Sequence, residues 1–295
     1  MNLSQAEIDQ KNAAFWNELC GSALARQLGI TDHSLDSLHK FDDYYFSFYP
    51  YLLPIIGPQR MRGKKVLEIG LGYGSLGQQI AAAGANYTGL DIAQGPVEMT
   101  KHRLHLQGLP GHAVCGSALE MPFPAGSFDF VVAIGCFHHT GDVQRCIDES
   151  YRVLREGGTL VFMVYNKFSL RHWKRWPWQT FKALCREVFR GADRPETISA
   201  ERRSAHDLNH AGVAAPETVL LSKKELRKML CRFEQVAIQK QNADPLMWGN
   251  KVLIDRPRLL GNVGRILGLH HYVEARKSAS SQQIEFEHVP PAKAA

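Results

Sequence analysis

Glu68-Ile69-Gly70-Leu71-Gly72-Tyr73-Gly74 sets a glycine at every second place straight after the apolar run Val66-Leu67. A short apolar run entering such a turn is a buried strand whose backbone must bend sharply and admit a ligand closely, which glycine alone permits at low steric cost. The register Gly72-Tyr73-Gly74-Ser75-Leu76-Gly77 also spells the GxGxxG dinucleotide pattern, so the loop by itself leaves the nucleotide open.

Working outward, the same strand–turn–helix rhythm repeats. Residues 75–84 have helical composition and stop at Gly84, a natural C-terminal cap. Strands are predicted at 86–92, 113–117, 127–135 and 159–166, with helices at 96–108 and 143–158 between them. Alternation of this kind predicts an α/β fold: a Rossmann-like, mostly parallel seven-stranded sheet with helices on both faces. Ser222 and Glu225 spell a capping box opening a helix over 222–233, and strands follow at 234–240 and 270–277. Residues 242–268 read as irregular. Pro54 and Pro58 are expected to break any helix before the sheet begins. The expected organisation is an N-terminal helical lid over 1–60 and a main domain over 61–277. An inserted helical segment at about 167–221, after strand 5, forms an acceptor lid, and 278–295 is a flexible tail.

The whole chain of 295 residues carries a net charge of +6, unevenly spread. Residues 1–165 balance at −4 and residues 166–295 at +10. A basic second half suits an anionic partner, whether phosphorylated substrate, RNA or lipid surface, and suits a solvated face equally. The six cysteines, at 20, 115, 136, 146, 185 and 231, contain no CxxC pair, which fits reduced thiols. The longest apolar runs are too short to span a bilayer, and the first residues carry no secretory pattern. These features predict a cytoplasmic protein without a transmembrane segment.

Asp91 ends the second strand 17 residues beyond Gly74, where a carboxylate can accept hydrogen bonds from ribose hydroxyls. With VLEIGLGYG, GLDIA, GSALEMPFPAGSFDFVVA, FHHTGD and YRVLREGGTLVFMVYN in that order, residues 60–166 resemble the class I S-adenosylmethionine-dependent methyltransferases of the "methyltransferase 11" type. The resemblance implies S-adenosyl-L-methionine as cofactor. Glu68 and the amides from Gly70 through Gly72 to Gly74 would meet its methionine end, Asp91 its ribose, and Ile92 its adenine. Ser117 and Ala118 stand where the family has an acidic residue followed by alanine, reaching the adenine amino group. The strand end at Ile134-Gly135-Cys136 would pass beside the sulfonium. A nicotinamide enzyme has no reason to carry the LEMPFP and FHHTGD segments.

Methyl transfer is an in-line displacement from an excellent leaving group, so the protein chiefly aligns the acceptor and excludes water. A base helps when the acceptor is a hydroxyl or a protonated amine. His138, His139 and Tyr165 are the catalytic candidates, with Asn166 beside them as a second acceptor-orienting residue. His206 and His210 are spaced i, i+4, but no third ligand accompanies them, so no metal is expected. The aromatic stretch Tyr44 to Tyr51 reads as core packing or, alternatively, as a helical lid over the cofactor carrying one or two of these tyrosines inward. The run Arg171-His172-Trp173-Lys174-Arg175-Trp176-Pro177-Trp178 suits RNA, a membrane interface, or rings packed on the sheet. After it, Phe181, Leu184, Cys185 and Val188 can share a docking face. The expected function is transfer of a methyl group to an O or N acceptor of a small metabolite, glycan or lipid-linked intermediate. An RNA methyltransferase and a cofactor-binding, non-catalytic regulatory homologue are the alternatives.

Overall fold

The computed structural model describes residues 4–19, 22–191, 195 and 197–279. Beyond Ala279, the expected tail lies outside the described residues.

The central sheet takes its strands from β1 (Lys65–Ile69), β2 (Asn86–Asp91), β3 (His112–Cys115), β4 (Phe128–Ile134), β5 (Leu154–Tyr165) and β6 (Phe233–Gln241), together with β9 (His270–Lys277). A two-stranded hairpin, β7 (Leu246–Trp248) and β8 (Lys251–Ile254), lies apart from it. The sheet order is β3-β2-β1-β4-β5-β9-β6, and β9 runs antiparallel to both neighbours while the β3-to-β5 pairings are parallel. The order reverses at β1, so the carboxyl ends of β1 and β4 frame the crevice where open α/β sheets bind ligands.

Period-two alternation assigns each strand residue to a face. Val66, Val132, Val161, Met163 and Tyr272 pack under α4 (Leu52–Ile56), α5 (Ser75–Ala82) and α6 (Gln94–Leu106) through Leu52, Ile56, Ile80 and Leu104. Leu67, Val131, Leu160, Phe162 and Val273 face the other way, against Cys146 and Ile147 of α7 (Val143–Val153) and Leu226 of α11 (Lys223–Met229). The two faces together form the doubly covered sheet that the alternation predicts.

Ahead of the sheet run α1 (Gln5–Leu19), α2 (Ser22–Gln27) and α3 (Leu35–Phe48). Ser34 caps α3 by accepting from the Ser37 amide. A buried cation fixes α3 to the glycine loop. Arg103 of α6, fully buried, donates to both carboxylate oxygens of Asp42 in α3, to Gln78 and to Ser75, and lies over the ring of Tyr73. Removing one partner of such a pair strands a buried charge, so α3 and the glycine loop are held as one unit.

Some elements depart from expectation. Pro54 sits inside α4 rather than ending a helix, because a first-turn residue has no helical N–H bond to lose; Pro58 opens a short 3-10 turn, Pro58–Met61. The expected helix over 143–158 ends at Val153, and β5 begins at Leu154, five residues early. Leu154 pairs with Phe128 across an irregularity in the ladder, which draws Gly157 and Gly158 into the strand. The helix after the Ser222–Glu225 capping box stops at Met229. The stretch read as irregular holds the β7–β8 hairpin, α12 (Arg256–Leu260) and α13 (Val263–Leu267). The inserted segment carries α8 (Leu170–Arg175), α9 (Pro177–Arg190) and α10 (Ala200–Arg203). Its remaining described residues make isolated bridges, Thr197 to Val219 and Leu208 to Ala214.

Candidate cofactor and acceptor site

A cavity of about 590 Å³ opens at the carboxyl ends of β1, β2, β4 and β5. That size falls within the roughly 300–1,000 Å³ usual for small-molecule sites. One half is the glycine loop and its surroundings: Glu68, Gly70, Leu71, Gly72, Asp91, Ile92, Ser117, Ala118 and Gly135 all lie on the wall. Gly70, Gly72 and Gly74 have φ of +79°, +54° and +76°. A Cβ on Gly70 would stand 2.6 Å from Cβ of Cys136, whereas one on Gly72 meets nothing within 4 Å. Gly70 therefore lets two strand ends approach, and Gly72 leaves backbone open toward the cavity. Gly74 does not reach the wall; it caps α5 and packs against Thr100 and Arg103.

Asp91 is buried, and its two oxygens accept the amides of Leu71, at 2.7 Å, and Ala93, at 2.9 Å. Burial raises its pKa while these amides pull it down. A carboxylate has about four lone-pair sites, so acceptor capacity remains beyond these amides and that of Ile92, and no cation pairs with Asp91 among the described residues. Glu68 is buried one residue before the loop, where the Tyr87 hydroxyl donates to it at 2.6 Å. Burial pushes its carboxyl up to about 8 against that hydrogen bond, and the Asp91 charge adds to the rise. Gly77 makes the pair possible, since a Cβ there would collide with both Glu68 and Tyr87. The Ser117 hydroxyl accepts the Leu119 amide, at 3.2 Å, and stays on the wall. An open glycine backbone, a partly satisfied carboxylate and a second carboxyl near neutrality fit a ribonucleoside bearing a cationic tail.

The other half of the cavity is aromatic and rich in histidine. Phe41, Tyr45 and Tyr49, one helical turn apart, turn inward from α3 and its end, while Tyr44 and Phe48 are partly exposed. From the sheet come Tyr165, His270 and Tyr272, and from the inserted segment Arg171, His206 and Asp207. The Tyr165 ring stacks between His206, at 4.5 Å, and His270, at 5.3 Å. Its hydroxyl donates to Asp207, at 2.9 Å, and burial together with that carboxylate raises its pKa well above 10. Tyr165 thus stays protonated on the cavity wall.

His139 holds its Nδ1 2.7 Å from the Glu217 carbonyl, which fixes the Nδ1–H tautomer. Its Nε2 lies 3.6 Å from Asp207 without a hydrogen-bond partner. Burial lowers its pKa, against the pull of Asp207, so the ring is neutral at pH 7. Trp16 of α1 covers the ring at 4.7 Å, and Asn12 of α1 donates to the His139 carbonyl.

Two residues expected at the acceptor site, His138 and Asn166, lie away from the cavity wall. His138 is wholly buried behind its neighbour, 4.0 Å from Tyr165 and 4.1 Å from His139, and is not on the cavity wall. Asn166 is buried too, its amide spent on the Gly268 carbonyl and the Phe168 amide. His206 and His210 share no helical face, because α10 ends at Arg203. Among the described residues, no group of three His, Cys, Asp or Glu is placed to hold a metal ion.

Arg171, Asp207, Asn242 and Trp16 were not singled out as wall residues from sequence, since each reaches the cavity from a distant segment. His270 and Tyr272 carried a local signal: alternate positions of one strand share a face.

Residues 67–162 match the family described as "Methyltransferase domain". The ubiquinone biosynthesis O-methyltransferase of Coxiella burnetii is 27% identical over 168 residues, 57% of this chain and 67% of that protein. The demethylmenaquinone methyltransferase of Thermus thermophilus is 32% identical over 104 residues, 35% of this chain and 47% of that protein. The structure of YcgJ from Bacillus subtilis covers 78% of this chain and 99% of its own, with a TM-score of 0.52 and 19% identity. A SAM-dependent methyltransferase from Methanosarcina mazei covers 76% and 97%, with a TM-score of 0.50 and 20% identity. At these identities the two structures establish a shared fold.

Proposed function

We propose, from the methyltransferase domain matched over residues 67–162, that the chain is an S-adenosylmethionine-dependent methyltransferase that methylates a hydroxyl on a small ring-bearing molecule. The observation that carries this reading is the neutral His139 on the cavity wall, its Nδ1 held by the Glu217 carbonyl and its Nε2 3.6 Å from Asp207. The similarity to O-methyltransferases of quinone biosynthesis points to the same kind of acceptor.

In this reading Asp91 would accept from the ribose hydroxyls, Ile92 would pack on the adenine, and Ser117 would accept from its amino group. Glu68, close to neutrality when alone, ionises beside the ammonium group of the methionine end. When bound, the cofactor would supply an electrophilic methyl group on a sulfonium, with the neutral thioether as leaving group. The stacked rings of Tyr165, His206 and His270 would wall one side of the acceptor ring, with Tyr49 on the lining beside them. His139 Nε2 takes the hydroxyl proton, and the Asp207 carboxylate stabilises the imidazolium that results. Trp16 and Asn12 keep water from the base.

Two expected results test this assignment. Asp91→Ala should weaken S-adenosylmethionine binding by about 1.5–3 kcal/mol, the range for hydrogen bonds to a charged group. Unchanged affinity in a folded variant would remove Asp91 from the ribose. Incubation with methyl-labelled cofactor and a panel of catechols, hydroquinones and aromatic amines should label the phenolic compounds. Label on the amines alone would overturn the hydroxyl assignment.

A further inference from the structure

The amphipathic helix α9 turns its apolar side to solvent. Trp178, Phe181, Val188 and Phe189 are 61%, 47%, 64% and 84% exposed. At 100° per residue, these four and the half-buried Cys185 fall within an arc of about 100°. The opposite side anchors the helix: Thr180 is buried and donates to the carbonyls of His172 and Trp176. The exposed rings are organised, with Trp178 and Phe181 stacked at 6.0 Å and the Lys182 ammonium 5.1 Å over the Trp178 ring.

Charge flanks the apolar arc. Lys182, Arg186 and Arg190 project beside it, and Lys174 and Arg175 extend the row onto α8. Glu187 is the single acid in α8 and α9, and it is half-buried. Exposed large rings bordered by cations match the interface of an anionic bilayer, where tryptophan sits at headgroup level and lysine and arginine meet phosphates. The helix has 14 residues, and no helix among the described residues is long and apolar enough to cross a membrane. Contact of this kind therefore lies along the surface.

We propose that α8 and α9 form a docking surface that seats the enzyme on anionic lipid bilayers. Arg171 of α8 also lines the cavity, so the docked helices border the acceptor half of the site. An acceptor dissolved in the bilayer then reaches the cavity without crossing bulk water. The surface stands independently of the acceptor's identity.

Co-sedimentation of the full chain with vesicles tests it. Vesicles with about 30% phosphatidylglycerol should pellet the protein, whereas pure phosphatidylcholine vesicles should bind it at least about tenfold less. Raising salt from about 0.05 M to about 0.5 M should release most of it, as screening shortens the reach of the cations. The double variant Phe181→Glu/Phe189→Glu should lose binding by about tenfold or more, with affinity for S-adenosylhomocysteine kept within about twofold. Lys182→Glu/Arg186→Glu should lose the preference for anionic lipid. Equal binding by wild type and both variants would overturn the proposal, as would wild type remaining in the supernatant. Salt-insensitive self-association abolished by the phenylalanine variant, without vesicle binding, would assign the face to a second copy instead.

Discussion

Acidification is expected to unfold the protein cooperatively with a midpoint between about pH 5 and about pH 4, well above the range where carboxylate titration alone destabilises most domains. His138, His139, His172, His270 and His271 are buried and His206 is half-buried. Burial lowers the pKa of all six, to about 3 for His172, His270 and His271 and about 2 for His206, with Arg171 adding repulsion at His172, His206 and His270. A folded-state pKa below the unfolded value of about 6.5 contributes stability that is complete above pH 6.5 and is lost as pH falls toward 3. Each such group contributes up to about 1.4 kcal/mol per pH unit, so four together remove about 5 kcal/mol per unit. Typical domain stabilities of about 5–15 kcal/mol are exhausted within a few units. Glu68 works in the opposite sense: its raised pKa favours the folded state as pH falls from about 8 toward 4.5, but it is one group against six. Far-UV circular dichroism against pH reads the midpoint. A fold intact at about pH 3 would mean that the histidines are hydrated and not buried neutral.

The second large effect concerns His139. His139→Gln should lower kcat by about a hundredfold to ten-thousandfold, the range for loss of a positioned base, with affinity for S-adenosylhomocysteine nearly unchanged. Glutamine retains an amide that can donate to the Glu217 carbonyl, so the local fold survives. Asp207 raises the His139 pKa. Asp207→Asn should therefore shift the acid limb of the kcat profile to lower pH as well as slow the reaction, which a purely structural role of Asp207 would not do. A His139→Gln enzyme within about threefold of wild type would leave alignment alone as the source of catalysis.

The glycine-loop half of the cavity was legible because its determinants are local. Gly70, Gly72 and the Asp91 strand end lie in one strand–loop–helix–strand unit, where spacing along the chain fixes position in space. Ser117 and Gly135 came from the family resemblance, and both reach the wall. The start of β5 was not legible, because Gly157 and Gly158 read locally as a helix stop while the pairing of Leu154 with Phe128 is a tertiary fact. The acceptor half was harder still. Asp207 and Arg171 come from the inserted segment and Trp16 from α1, and no period links them to His139. His138 and His139 look equivalent in sequence. The turn Phe137–His139 sends one ring to the cavity and the other behind it. The solvent-facing side of α9 was visible as a row of apolar residues, but only packing decides whether such a row is covered.

The central claim is that the cavity at the carboxyl ends of β1 and β2 binds S-adenosylmethionine. Calorimetric titration of the purified protein with S-adenosylmethionine, S-adenosylhomocysteine and NADH tests it most directly. Saturable binding of both sulfur compounds with about 1:1 stoichiometry and no heat from NADH is the predicted result. Binding of NADH in place of the sulfur compounds would contradict the account and return the glycine loop to a dinucleotide reading.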